Sequence, residues 1–307
     1  MGYNAPSMAR KTLITARDLE RRPALPLPAD ALLTPLARDL LRKRGLWPPP
    51  VRAGGRGCGA PRLVVANWKS HKTIPEALAF ARGLREELAS RRPRAGAVVC
   101  PPATALANLR GPLRGVAELG AQDVSAHDEG AHTGELAARH LVDAGARYVL
   151  VGHSERRAAG EDDARCRAKV RAALRGGLTP ILCVGETAGE RDAGRTEHVV
   201  AGQLEAVFAG LDLARATRVV LAYEPRWAIG TGRVPQGEDV AAVLAHARAV
   251  LARAFPPDAV ERVPVLYGGS VNERNAARLL ALPGCSGALV GGASLDPARF
   301  AQILASA

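Results

Sequence analysis

From Leu63 onward the chain alternates short apolar runs with longer stretches in which apolar and charged residues mix. The runs are LVVANW (63–68), AVVCP (97–101), GVAELGAQ (115–122), YVLVGH (148–153), PILCVGE (180–186), RVVLAYE (218–224), VPVLYGG (263–269) and GALVGG (287–292). They are continuously apolar rather than alternating, the pattern of parallel strands covered on both faces. Stretches such as IPEALAFARGLREELASRR (74–92) and NERNAARLLAL (272–282) read as amphipathic helices between them. Eight β-α units in about 245 residues fit a (β/α)8 barrel. A doubly wound open sheet is the alternative. Such a sheet usually places a G-x-G-x-x-G turn after its first strand, and VVANWKSHK has no glycine there.

Residues 1–61 break this rhythm. RRPALPLPAD and GLWPPPVRAGGRGCGAP are rich in Pro, Gly and Arg and predict no core. Between them LTPLARDLLRKRG predicts one short helix over 35–44. Thr34 caps it, Pro35 takes the first helical position, and Gly45 closes it. Leu36, Leu40 and Leu41 would share one face, with Arg42, Lys43 and Arg44 in the last turn. A helix this short is unstable alone, so it must dock or fray. The expected organisation is therefore a mostly disordered extension with one amphipathic helix (1–61), followed by the barrel (62–307).

Composition refines this picture. Apolar residues make up 47% of the chain and aromatics only 4%, so aliphatic side chains and alanine must fill the core. No apolar run approaches the ~18–20 residues of a membrane span, and the N-terminus has charges but no apolar stretch of a secretory signal. Five cysteines (58, 100, 166, 183, 285) lack C-x-x-C spacing. That disfavours a disulfide framework or a zinc site and suits a reducing cytoplasm. The net charge of +12 raises the question of nucleic acid, but residues 1–62 carry +8 of it and residues 63–307 only +4. The expectation is no nucleic-acid partner and no membrane. The basic helix around 32–44 remains a candidate for docking on a partner.

Chemistry in this fold collects at the C-terminal ends of the strands. The first run ends in Asn67 and Lys69, the fourth in His153, Ser154 and Glu155, the sixth in Glu224. Glu186 follows the fifth. The seventh and eighth end in Gly268-Gly269-Ser270 and Gly291-Gly292. A lysine, a histidine and a carboxylate at separate strand ends supply a cation, an acid or electrophile, and a base. Glycine-rich ends let backbone N–H groups approach a phosphate. Taken singly, each residue has a plainer reading: a solvated lysine, a structural histidine, an arginine-paired glutamate, a simple turn. It is their joint occurrence at strand ends that points to a site. Cys183 reads as a small core thiol.

ANWK (66–69), GAHTGE (130–135), GHSERR (152–157), CVGE (183–186), AYEPRWAIGTG (222–232), YGGSV (267–271) and GALVGGASL (287–295) resemble, in order and spacing, the signature blocks of the triosephosphate isomerase family. The resemblance covers 62 to about 306 and leaves 1–61 outside. It implies an enzyme of glycolysis and gluconeogenesis that interconverts dihydroxyacetone phosphate and D-glyceraldehyde 3-phosphate through an enediol(ate). A glutamate base with a neutral histidine electrophile is the arrangement already established for that family, as is a closing loop. By resemblance Glu224 is the base and His153 the electrophile. Lys69 supplies positive charge, Asn67 places the substrate oxygen, and Glu155 supports the lysine. Gly230, Ser270, Gly291 and Gly292 would bind the phosphate, and Pro225 to Gly232 would form the lid. The resemblance further implies a homodimer in which Thr133 reaches the neighbouring site and Glu135 pairs with Arg156, and it implies no metal or organic cofactor. Three positions depart from the family pattern: Arg226 in place of an aliphatic hinge residue, His132 in place of an aromatic, and Ser286 in place of an aspartate. The competing readings are an isomerase of a longer sugar phosphate, such as a tetrulose phosphate, and a non-catalytic phosphate-binding scaffold.

Overall fold

The computed structural model describes residues 13–21, 32–34, 36–37, 40–41, 62–91, 93–228 and 235–307. The chain divides into two compact units, residues 1–52 and 53–307.

In the first unit, β1 (Leu13–Ile14) pairs in parallel with β2 (Leu32–Leu33), and the helix Ala16–Arg21 lies between them in sequence. That helix has a legible start: the Asp18 carboxylate accepts from the Thr15 N–H at 2.8 Å and from its hydroxyl at 2.7 Å, so the cap residue and the first turn hold each other. The sequence reading finds neither this helix nor the strand pair. Residues 36–37 and 40–41 are helical as expected, and Thr34 Oγ1 accepts from the Ala37 N–H at 3.3 Å. The buried stripe differs from the expected one. Ala37 and Leu41, four residues apart, pack with Ile14 and Leu19. Leu36 is 68% exposed and Leu40 only half-buried. One side of this stretch meets the core, and the small Ala37 allows the closer approach. Pro35 and 42–45 lie outside the described residues.

In the second unit eight parallel strands close into a barrel. They are β3 (Leu63–Asn67), β4 (Gly96–Cys100), β5 (Glu118–Ala121), β6 (Ala146–Val151), β7 (Thr179–Val184), β8 (Val220–Tyr223), β9 (Val265–Tyr267) and β10 (Gly287–Val290). The last strand pairs with β3, so the order around the barrel is the order of the sequence. Alternate residues separate into two clusters. Leu63, Val65, Val98, Cys100, Tyr148, Leu150, Ile181, Cys183, Val220, Ala222, Leu266 and Leu289 fill the interior. Their neighbours Val64, Ala66, Val99, Val149, Leu182, Leu221, Val265 and Ala288 face the surrounding helices. Both sets are apolar, which is why no alternation shows in the sequence.

The helix expected over 74–92 spans Ile74–Ser90. The stretch 272–282 becomes helical only over Ala276–Leu280. Asn272 and Asn275 explain the delay. Asn272 Oδ1 accepts from the Arg274 N–H at 2.9 Å and Asn275 Oδ1 accepts from the Asn272 N–H at 2.8 Å. These side chains satisfy the backbone in a turn before the helix can begin.

Candidate active site

Asn67 and Glu224 continue the inward phase of their strands, two residues beyond Val65 and Ala222. Each therefore projects over the top of the packed interior. His153 arrives differently. Gly152 has φ +70°, a left-handed conformation that glycine adopts without strain. An added Cβ there would lie 2.9 Å from Cys166 Sγ. The turn brings His153 over the barrel mouth at the start of the helix Ser154–Ala158.

Asn67, Lys69, His153, Glu224, Gly268, Gly269, Ser270, Val271, Leu289, Gly291 and Gly292 line a cavity of about 250 Å³. The structure thus gathers seven of the expected site residues into one place. Glu155 stands beside them, with Oε1 2.7 Å from Lys69 Nζ and Oε2 3.7 Å from His153 Nδ1. Gly230, and the lid residues 229–232, lie outside the described residues.

Within the cavity His153 Nε2 is 3.3 Å from Glu224 Oε1. His153 Nδ1 accepts from the Glu155 N–H at 3.3 Å. That bond places the proton of a singly protonated ring on Nε2, the nitrogen facing Glu224 and the cavity. Both polar side chains are buried, His153 at 6% and Glu224 at 3% exposure. Glu224 Oε2 accepts from the Ser154 N–H at 3.0 Å. The carboxylate thereby occupies the N-terminus of a helix, where unpaired amide groups favour an anion. Gly268 allows this approach, since a Cβ there would sit 2.8 Å from Glu224 Cγ.

Lys69 has φ +51°, a conformation that costs a non-glycine residue about 1–2 kcal/mol. Two contacts hold it. Asn67 Oδ1 accepts from its N–H at 3.0 Å, and Gln122 Nε2 donates to its carbonyl at 2.8 Å. Gln122 escaped the sequence reading, because its role depends on a loop 53 residues away in sequence. Tyr267 was missed as well. Its hydroxyl is buried with no hydrogen-bond partner among the described residues, facing Gly269 on the loop that lines the cavity. A polar ring directly before Gly-Gly was the available signal. On the glycine side, Ser294 Oγ donates to the Gly291 carbonyl at 2.7 Å and fixes the turn. Burial pushes the Cys183 thiol well above its usual range, as suits a core residue.

Thr133, Glu135 and Arg156 are not part of the cavity. Thr133 is exposed on the loop after β5. Ser125 donates to Glu135, holding its carboxyl below the usual range, and Arg165 pairs with it at 3.1 Å. Arg156 pairs with Asp123 at 3.0 Å and Glu161 at 3.4 Å. Within one chain Glu135 and Arg156 thus have other partners than each other. His132 stacks on His127 with ring centroids 3.7 Å apart. Arg226 is half-buried, and its charge helps keep the Glu190 carboxyl below its usual range, after the larger effects of the Thr187 hydrogen bonds and Arg195. Among the described residues, no cluster of His, Cys, Asp or Glu is placed to hold a metal ion, and no helix is long and apolar enough to cross a membrane.

Residues 62–307 match the family model for triosephosphate isomerase. The chain is 51% identical to a triosephosphate isomerase of Symbiobacterium thermophilum over 249 residues, 80% of this chain and 96% of that one. It is 47% identical to one from Halorhodospira halophila over 243 residues, 79% of this chain and 96% of that one. The crystal structure of triosephosphate isomerase from Bartonella henselae superposes with a TM-score of 0.71 at 37% identity, covering 79% of this chain and 97% of that one.

Proposed function

The chain belongs to the triosephosphate isomerase family, and from that premise we propose that it interconverts dihydroxyacetone phosphate and D-glyceraldehyde 3-phosphate through an enediol(ate), with Glu224 as base and His153 as electrophile. The observation that carries this reading is the facing pair of His153 Nε2 and Glu224 Oε1, 3.3 Å apart and buried at the floor of one cavity with Lys69. The glutamate–histidine assignment itself is the one established for the family. Glu224 takes the proton from the carbon beside the carbonyl and returns it to the neighbouring carbon. His153 donates from Nε2 to the carbonyl oxygen as negative charge develops there. Lys69 lies beside that oxygen and stabilises the charge, with Glu155 holding its ammonium. Asn67 orients the oxygen. Backbone N–H groups of Ser270, Gly291 and Gly292 receive the phosphate, with Gly230 as a further donor from beyond the described residues. The Ser154 N–H holds Glu224 Oε2 and leaves Oε1 on the side of His153 Nε2. Base, electrophile and cation are all side chains, so the proposed reaction calls for no metal or organic cofactor. The exposed loop carrying Thr133, Glu135 and His132 supports a homodimer, and the free thiols of Cys100, Cys166, Cys183 and Cys285 support a reducing cytoplasm.

The test is steady-state turnover on both triose phosphates and on a four-carbon ketose phosphate. Glu224→Ala should lower kcat at least ~100-fold, within the usual range for a general base. Nearly unchanged turnover in that variant refutes the base. A much higher kcat/KM on the four-carbon substrate replaces the triose assignment with the longer sugar.

A further inference from the structure

Arg191 lies on the helix Ala188–Asp192, outside the residues that line the cavity. It joins two elements that flank the segment 229–234. Its guanidinium stacks over the Trp227 ring at 4.3 Å, and its Nη2 pairs with Asp239 Oδ2 at 2.8 Å, in the first turn of the helix Gly237–Ala252. The edge of the same indole is also held: Trp227 Nε1 donates to Glu186 Oε1 at 2.8 Å. Glu186 is fully buried and accepts as well from the Tyr223 hydroxyl at 3.2 Å. One ring is thus fixed at its edge by a carboxylate and on its face by a cation. A flat guanidinium suits the second task, since it stacks and pairs at once, which an ammonium does less well.

Trp227 is three residues beyond the base. The Ala228 N–H donates to the Pro225 carbonyl at 2.8 Å, so 225–228 is a closed turn. The Arg226 N–H donates to the Glu186 carbonyl at 3.0 Å, and Ser270 Oγ donates to the Ala228 carbonyl at 3.3 Å. The held indole thus belongs to the turn that follows Glu224 and leads to the glycine side of the cavity.

We propose that Arg191 is a positioning residue for the base: by stacking on Trp227 while paired to Asp239, it fixes the turn 225–228 and through it the placement of Glu224. The proposal rests on the isomerase reading above. A purely structural surface ion pair would change melting and leave turnover of the folded enzyme alone.

The experiment uses the full chain with Arg191→Ala, Arg191→Lys and Asp239→Asn. It reads kcat, KM and melting, and the Trp227 emission obtained as the difference from each protein's Trp227→Phe counterpart. Arg191→Ala should lower kcat roughly 10-fold with KM little changed, because a small misplacement of a reacting group acts on the chemical step. Its Trp227 emission should shift. Arg191→Lys, which keeps the charge beside Asp239 but not the flat stack, should recover part of kcat. Asp239→Asn should move both readouts in the same direction, by less, and keeps the test available should Arg191→Ala fail to fold. Unchanged kcat with unshifted Trp227 emission in folded Arg191→Ala overturns the proposal, as does a kcat loss equal to the unfolded fraction. Wild-type chain without turnover on either triose phosphate would instead sink the isomerase reading, and the emission difference alone would then decide whether Arg191 holds Trp227.

Discussion

Arg248 donates to the carbonyls of Val260, Val263 and Gly284 and to Ser286 Oγ, and all four acceptors are neutral. Burial pulls its pKa below the usual arginine value, against a smaller opposing effect of the Glu261 carboxylate, and among the described residues its hydrogen bonds go to dipoles. Ser286, one of the positions at which the sequence departs from the pattern it resembles, offers this guanidinium a neutral hydroxyl, where an aspartate would offer a charged acceptor. The guanidinium is already partly out of water, so a carboxylate at 286 adds a charge-assisted bond without burying a new cation. Ser286→Asp should raise Tm by about 2–4 °C, the shift that about 1 kcal/mol gives in a domain of this size; a lower Tm by thermal unfolding would show that desolvating the new carboxylate outweighs the bond. Individual residues were readable in the sequence where a polar type ended an apolar run, as with Asn67, His153 and Glu224. Gln122, Tyr267 and Arg191 were not, because each acts through a contact that no local pattern encodes. Arg226 falls between: a charge in a hinge was expected to find solvent or a carboxylate, and it lies half-buried within electrostatic reach of Glu190.

Helix starts in this chain rest on short reciprocal contacts. Thr73 with Glu76, and Thr187 with Glu190, form boxes in which the threonine N–H donates to the glutamate at 2.7 Å in both cases. Those backbone bonds hold both carboxyls below their usual range. A depressed carboxylate pKa stabilises the fold above the unfolded value, near pH ~4.3, and that contribution disappears as pH falls through the folded value. The double variant Glu76→Gln/Glu190→Gln should accordingly melt lower than the wild type at pH 7, with the gap closing once both glutamates are protonated. A gap that persists in acid, measured by the same melting curves, would assign it to geometry rather than charge. The long helix after Thr73 was legible from its repeating apolar face, whereas the five-residue helix Ala188–Asp192 is too short to show one and was not read. Strand ends were less legible than that long helix. The apolar runs extend one or two residues past the strand ends, since most of the residues that turn toward the site, such as Trp68, His153, Glu186 and Glu224, are as buried as the strands themselves. The Asn272 turn was overlooked because helical periodicity continues through it.

At the scale of the molecule, residues 1–52 form a unit with a small core of their own, Ile14, Leu19, Ala37 and Leu41, while the cavity is built wholly from 67–292. Deleting residues 1–61 should therefore leave kcat and KM on the triose phosphates intact and change what the protein binds in a pull-down. A loss of turnover in the truncated chain would place the first unit in the site. The exposed Leu36 is a natural second substitution in that pull-down. The sequence by itself determined the eight strands, their parallel order and the types of residue at their ends, because a strand buried on both faces leaves an unbroken apolar run and the exceptions to it stand out. Only the tertiary structure decided which of two apolar faces points into the barrel, that Gly152 turns His153 over its mouth, and that the Ser154 amide and Gly268 receive Glu224. The physical reason is that these outcomes depend on closure. Register around a closed sheet and contacts between residues dozens of positions apart have no signature in any one stretch of chain.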